Sequence, residues 1–321
     1  MRTNYQSSVL AAPGRIELRS LPMPQPSPRQ VVVRLEGCGV CGSNLPVWQG
    51  REWFKYPLEP GSPGHEGWGR VESVGEQVET VTEGDRVALL SHHSFAEVDV
   101  ADVDHAVKLP PMFDSTPFPG EALGCAMNVF QRATISRGDD VAIIGVGFLG
   151  ALLVQLAASA GARVVAISRR SRALEMARSM GAQHGILLDD RERTRAAALE
   201  VTGGREFNRV IEATGHQMPL DLATDLIGER GTLVIAGYHQ DGLRQVNMQV
   251  WNWKGIDVIN AHERDPQIYL NGMRAAAGAI AEGRLDPAPL YTHHFALDQM
   301  GAALDALESR DGIFMKALLI L

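Results

Sequence analysis

Cysteine is scarce in this 321-residue chain, which has only three. No disulfide framework can brace it, and a structural four-thiolate metal site is excluded by number. Long apolar runs are also missing. No stretch approaches the ~18 apolar residues of a membrane span. The opening MRTNYQSSVLAAPGRIELRS lacks the charged-then-apolar pattern of a secretory signal. Basic charge is short as well: 30 Lys and Arg face 38 Asp and Glu, a formal net charge of −8. That balance argues against a nucleic-acid or anionic-membrane partner. There is no internal repeat and no low-complexity tract. The expectation is a cytoplasmic protein in a reducing compartment, long enough for two domains and a sizeable core.

What is present is concentrated in VAIIGVGFLGALLVQLAASAGARVVAISRR, residues 141–170. A short β-branched apolar run at 141–144 reads as a buried parallel strand. Gly145, Val146, Gly147, Phe148, Leu149 and Gly150 then spell G-x-G-x-x-G, followed by helix formers over 151–160 and a second strand signal at 163–167. Strand, glycine turn and helix in that order form a βαβ unit with a dinucleotide fingerprint. Gly145 permits the tight turn, Gly147 the approach of a pyrophosphate, and Gly150 close helix–strand packing. The helix N-terminus would meet the phosphate with unpaired N–H groups.

The choice of dinucleotide is a question of charge. An NAD site usually ends its second strand on Asp or Glu, which accepts from the ribose 2′-hydroxyl. Here that place reads Ser168-Arg169-Arg170. A hydroxyl followed by two guanidiniums suits a 2′-phosphate, so NADP(H) is expected over NAD(H).

The remaining pattern divides in two. Residues 1–118 read as mostly β, with strands at 31–35, 69–74 and 85–90 and frequent Gly and Pro, suggesting a small barrel-like domain. From Gly120 onward helical and β segments alternate. Helices are expected at 171–180 and 218–227, and strands at 209–212, 231–236 and 256–260. Trp251 and Trp253 alternate in strand fashion. From Asp265 come two helical patterns and an apolar strand at 317–321, which reads as a return to the first domain.

Three stretches carry metal-binding chemistry: CGVCGSN at 38–44, PGHEG at 63–67 and GEALGC at 120–125. Thiolate, imidazole and carboxylate together suit Zn²⁺, and a catalytic zinc keeps one position open. With the GVCGS turn, GHEGWGRVESVG, GDRV, the fingerprint, EATG and GTLVIAG, the sequence resembles a zinc-dependent medium-chain dehydrogenase/reductase of the alcohol and polyol dehydrogenase family. The likeness spans essentially the whole chain. It implies an α/β architecture: a GroES-like β-barrel-type catalytic domain, discontinuous over 1–118 and 265–321, joined to a Rossmann doubly wound parallel-sheet domain over 119–264.

By that resemblance Cys41 and His65 match zinc ligands, and Glu66 matches a carboxylate on or just behind the metal. Either Cys125 or Glu121 completes the set, with Cys125 favoured because thiolate is the better zinc ligand. Cys38 falls at a non-ligand position. Ser43 matches the hydroxyl that bonds the substrate oxygen and passes its proton onward. Thr214 and Gly215, within EATG, join the cofactor site. Trp48, Trp53, Phe54 and His92 fall at family-like positions near the substrate.

Three departures from the pattern matter. The four-cysteine structural-zinc lobe is missing after GDRV, so one zinc per chain is expected. Asn44 stands where an Asp commonly supports the zinc histidine. Pro46 stands where some relatives have a relay histidine. The substrate expected is a small secondary alcohol, polyol or cyclitol-like compound, or its carbonyl form, handled by a homodimer or a homotetramer. The rival readings are a zinc-independent quinone or enoyl reductase of the same fold and a non-catalytic nucleotide-binding relative.

Overall fold

The computed structural model describes residues 2–321. In chain order, the strands of the first segment are β1 (Asn4–Ala12), β2 (Arg15–Pro22), β3 (Gln30–Val40), β4 (Gly67–Val74), β5 (Arg86–Leu89), β6 (Val98–Asp102) and β7 (Ala106–Lys108). A short helix α1 (Leu45–Trp48) follows β3, and α2 (Gly120–Ala133) leaves the segment. Next come β8 (Asp140–Ile144), α3 (Phe148–Ser159), β9 (Arg163–Ser168), α4 (Ser171–Ser179), β10 (His184–Leu187) and α5 (Arg191–Val201). After these stand β11 (Phe207–Glu212), α6 (Gln217–Leu226), β12 (Ile227–Ile235), α7 (Met248–Lys254) and β13 (Asp257–Asn260). The chain ends with α8 (Pro266–Ala281), β14 (Tyr291–Phe295), α9 (Met300–Ser309) and β15 (Lys316–Ile320).

Two compact units result. The first comprises the chain up to Cys125 with Asp265–Ala281 and Ala288–Leu321; the second comprises Ala126–Arg264 and Glu282–Pro287. The boundary falls inside α2. The short return 282–287 has a local cause. Gln155 of α3 donates from Nε2 to the Asp286 carbonyl at 2.7 Å and accepts from the Asp286 N–H, also at 2.7 Å.

The first unit is built on a seven-stranded sheet ordered β14-β15-β3-β4-β5-β7, with β6 also pairing with β3. β3 is longer than the 31–35 expected from the apolar run, because GCGV continues it to Val40. Its glycine-rich end reads as a turn in isolation. It stays extended because Gly39 pairs with Leu318 of β15 and Cys38 with Gly67 of β4. Val31, Val33, Leu35, Val71, Val87 and Leu89 form one core cluster in this unit. A second gathers around Cys38, Val40, Phe95, Leu304 and Leu319.

The second unit carries a six-stranded sheet ordered β10-β9-β8-β11-β12-β13, all of whose pairings are parallel. Counted within the unit, this is the doubly wound order 3-2-1-4-5-6. Every residue of β8 is buried, as a strand covered by helices on both faces must be. The direction of the chain's winding reverses between β8 and β11. That reversal opens a crevice at the carboxyl ends of those strands.

One expectation is corrected here. Trp251 and Trp253 lie on the helix α7, not on a strand. The alternation reflects a short amphipathic turn instead. Trp251 packs on the core and donates from Nε1 to Thr224 Oγ1 at 3.0 Å, while Trp253 is exposed. Helix α3 also begins three residues earlier than propensity suggested, since Phe148 and Leu149 already belong to it. No helix among the described residues is long and apolar enough to cross a membrane.

Replacing Gln155 with Leu should loosen the 282–287 return, since both hydrogen bonds between the Gln155 amide and the Asp286 backbone are lost. The expected cost is about 2 kcal/mol, read as a lowered midpoint in urea unfolding with an unchanged slope.

Candidate active site

Cys41 stands immediately after β3, where the chain turns through the single helical turn Gly42–Asn44. The Asn44 side chain fixes that turn, accepting from the Cys41 N–H at 2.8 Å and donating to the Pro63 carbonyl at 3.2 Å. His65 Nδ1 donates to the same carbonyl at 2.8 Å, which leaves Nε2 facing the donor cluster. Asn44 thus reaches the histidine through a shared backbone oxygen. Cys41, His65 and Glu66 each offer one ligand atom, and these atoms all lie within 4.8 Å of one another.

Helix α2 supplies two more donors from one face, as an i, i+4 pair should. Cys125 Sγ donates to Glu121 Oε1 at 3.2 Å, and Glu121 Oε2 lies 4.0 Å from His65 Nε2. Ser43 Oγ is 3.4 Å from His65 Nε2 and is exposed. Cys38 is buried in β3 and lies outside the cluster. All three cysteines are free thiols.

Beneath the donors lies an ion pair that the sequence did not reveal. Lys316, the first residue of β15, brings Nζ within 2.6 Å of Glu66 Oε1 and 2.5 Å of Oε2, with both side chains buried. The contact to Oε2 is close but off hydrogen-bond alignment, so that oxygen keeps an unused acceptor site. Gly39 makes the pair feasible: a Cβ there would fall 1.8 Å from Glu66 Oε2 and 3.0 Å from Lys316 Cε.

The charges act on one another. Burial pulls His65 downward, but the Cys41 hydrogen bond and the charges of Cys41, Glu121 and Glu66 push it up to about 10. Burial, Glu121 and Cys41 hold the Cys125 thiol well above its ordinary value. Burial raises Glu121, with His65 working against it. Lys316 is lowered by burial and raised by Glu66, Cys41 and Glu121, and the anions win. Of the chain's own groups, the cations facing these anions are Lys316 and the raised His65 imidazole. The donor set of thiolate, imidazole and carboxylate fits Zn²⁺, and the unused lone pair on Glu66 fits a carboxylate at or behind the ion.

The expected substrate residues spread out. Trp48 is buried in the cluster against α9 and donates from Nε1 to Asp305 Oδ1 at 3.1 Å. Phe54 packs partly on that same cluster, and Trp53, its ring 6.0 Å away, is exposed. Exposed His92 has its ring 6.3 Å from that of His65.

In the second unit the fingerprint has the geometry its glycines imply. Gly145 has φ +101°, and a Cβ at Gly150 would fall 2.0 Å from the Gly145 carbonyl oxygen. Gly147 caps α3 without a side-chain cap bond, and the space where its Cβ would lie is open. An open cradle over an uncapped helix start fits a pyrophosphate. Buried Ser168 closes β9 and its Oγ accepts from the Arg170 N–H at 3.3 Å. Arg170 Nη2 donates to the Val146 carbonyl at 3.1 Å, and Arg169 is exposed. Thr214 and Gly215 follow β11 across the crevice from the glycine turn.

Known proteins match both units. Residues 27–111 match the alcohol dehydrogenase GroES-like domain, and residues 149–277 match the zinc-binding dehydrogenase family. Sorbitol dehydrogenase of Ovis aries is 27% identical over 355 residues, covering 98% of this chain and 95% of the relative. An alcohol dehydrogenase (rspB) from E. coli CFT073, solved with NADH, superposes with TM-score 0.89 at 21% identity, covering 100% of both chains. A zinc-binding dehydrogenase from Sinorhizobium meliloti 1021, bound to NADP, superposes with TM-score 0.83 at 24% identity, also covering 100% of both. At those identities the structural likeness is one of fold.

Substituting Lys316 with Met should strand the Glu66 carboxylate in a buried site. A loss of roughly 3 kcal/mol or more in unfolding free energy is expected, while Lys316→Met combined with Glu66→Gln should recover a large part of it.

Proposed function

The chain belongs to the zinc-type medium-chain dehydrogenase/reductase family as an alcohol dehydrogenase-like oxidoreductase, and on that premise we propose that it transfers a hydride between NADP(H) and a secondary alcohol, polyol or cyclitol-like compound, or the corresponding carbonyl. The observation that carries this reading is the gathering of Cys41, His65 and Glu66 around one point, with Ser43 beside it and a fingerprint crevice in the second unit. Cys41, His65 and Cys125 would hold the zinc ion, with Glu66 on or behind it and Glu121 as the alternative to Cys125. When bound, zinc supplies Lewis acidity toward an alcohol or carbonyl oxygen, and the dinucleotide supplies the hydride acceptor or donor.

The chain's own groups do the rest. Ser43 Oγ, exposed and within reach of His65 Nε2, accepts the proton of a substrate hydroxyl and releases it toward solvent. Pro46 offers no titratable group, so the onward route runs through water or another group. Pro63 O holds the His65 ring in orientation through Nδ1. Lys316 Nζ, against both oxygens of the Glu66 carboxylate, holds it in place beneath the donors.

The preference for NADP(H) rests on Ser168, Arg169 and Arg170. No carboxylate stands at the end of β9 to meet a 2′-hydroxyl, and the Arg170 guanidinium is anchored on the glycine turn. We also assign the protein to a reducing, cytoplasmic compartment, in keeping with its free thiols. A homodimer, with a tetramer as the next assembly, is supported by the exposed outer side of β13, the last strand of its sheet, and by the 87% exposed Trp253 beside it. Light scattering that returned a monomer would remove that part of the reading.

Elemental analysis of purified protein should give one zinc per chain. Cys41→Ala and Cys125→Ser should lose it together with turnover, whereas Glu121→Gln should keep it. Steady-state kinetics should favour NADPH, and Arg169→Ala with Arg170→Ala should raise KM for NADPH by ~10-fold or more while sparing NADH. Full activity in zinc-free protein would sink the mechanism, and a clear NADH preference would sink the cofactor choice.

A further inference from the structure

The dinucleotide reading leaves one buried acid unexplained. Glu212 closes β11 with its side chain fully buried. Its Oε1 accepts from the N–H groups of Thr214 at 2.7 Å and Gly215 at 3.1 Å, and from the Thr214 hydroxyl. Its Oε2 accepts from His239 Nε2 at 2.9 Å. His239 lies beyond the end of β12, and its other ring nitrogen, Nδ1, accepts from Arg244 Nε at 3.0 Å. A guanidinium can only donate and a carboxylate can only accept, so the ring is neutral with its proton on Nε2. Arg244 Nη2 then donates to the Gly215 carbonyl at 2.9 Å, back at the turn where the circuit began. Its Nη1 gathers the carbonyls of Asp241 at 3.2 Å and Leu243 at 3.3 Å.

The circuit staples the turn after β11 to the loop after β12. Both lie at the carboxyl edge of the sheet, where the crevice opens. The turn also adjoins the fingerprint, since a Cβ on Gly145 would meet Thr214 Cγ2 at 2.5 Å, and one on Gly215 would meet the Tyr238 carbonyl oxygen at 2.3 Å. Room at this edge is therefore set to within an atom's width.

We propose that His239 is a positioning residue for the dinucleotide, its neutral ring holding the Thr214–Gly215 turn and the 237–244 loop at the separation the crevice requires. The proposal rests on the dinucleotide reading of that crevice. Imidazole suits the place because it offers one donor and one acceptor. It relays Arg244 to Glu212 without carrying a cation into the buried pocket. Glutamine, with an amide donor and a carbonyl acceptor, is the one other uncharged side chain of similar reach that does both.

The test is isothermal calorimetry of NADP⁺ and NAD⁺ binding to the intact purified protein and its variants. His239→Leu and Arg244→Met should each weaken binding of the preferred dinucleotide at least about 10-fold. His239→Gln should stay within about 3-fold of the parent. Trp251→Phe, which removes a hydrogen bond elsewhere in the same unit, should lower the melting temperature and leave affinity unchanged. Unaltered binding in His239→Leu, an equal loss in His239→Gln, or an equal loss in Trp251→Phe would overturn the positioning role. A parent protein that binds neither dinucleotide would overturn the crevice reading itself, and the proposal with it.

Discussion

The pairing of Glu66 with Lys316 ties the two ends of the first unit together. Glu66 comes from the loop that carries His65, and Lys316 opens the last strand of the chain. A buried carboxylate is tolerable only with a partner at hand, so the donor cluster cannot be built until β15 has docked against β3. The register that places Lys316 there is the one that pairs Ala317 with Val40 and Leu319 with Cys38. Gly39 lies between the two charged groups because any side chain would occupy their space. The long excursion through the second unit is therefore an insertion into a sheet whose chemistry requires both flanks.

The second unit solves a related problem with different groups. Glu212 is also a fully buried carboxylate, but it is satisfied by backbone N–H groups, a hydroxyl and a neutral imidazole instead of a direct cation. The two acids do different work. Glu66 faces the candidate donors Cys41 and His65, where net charge matters. Glu212 orders loops, where hydrogen-bond direction matters more than net charge. In both cases a residue remote in sequence completes the arrangement: Lys316 for one, His239 with Arg244 for the other.

Much of the architecture was legible in the sequence because its signals are local. The β8–α3–β9 unit follows from a β-branched run, three spaced glycines and a run of helix formers, each of which acts on its own neighbours. Cys41, His65, Glu66, Glu121 and Cys125 could be named as candidate donors because the short motifs that carry them resemble those of the zinc-type family, whereas side-chain chemistry alone would have offered Cys38 as well. Less was legible where partners decide. The β1–β2 hairpin, β10 and α5 carry weak periodicity and are held by pairing and packing. The glycine-rich end of β3 reads as a turn until its neighbours on both sides are known. Trp251 and Trp253 fit a strand or a helix equally well over so few residues, and docking of Trp251 on Thr224 chose the helix.

By itself, then, the sequence determined the class of chemistry and the architecture that serves it, since residue type and short-range spacing encode both. Tertiary structure alone decided which donors converge, that Trp48 packs against α9, that Asn44 acts through the Pro63 carbonyl, and that Lys316 lies beneath Glu66. Those facts depend on strand register and on contacts between residues far apart in the chain, 250 positions for the buried ion pair and 257 for Trp48 with Asp305. No local pattern carries such information, because the energy that fixes it exists only once the sheets have closed.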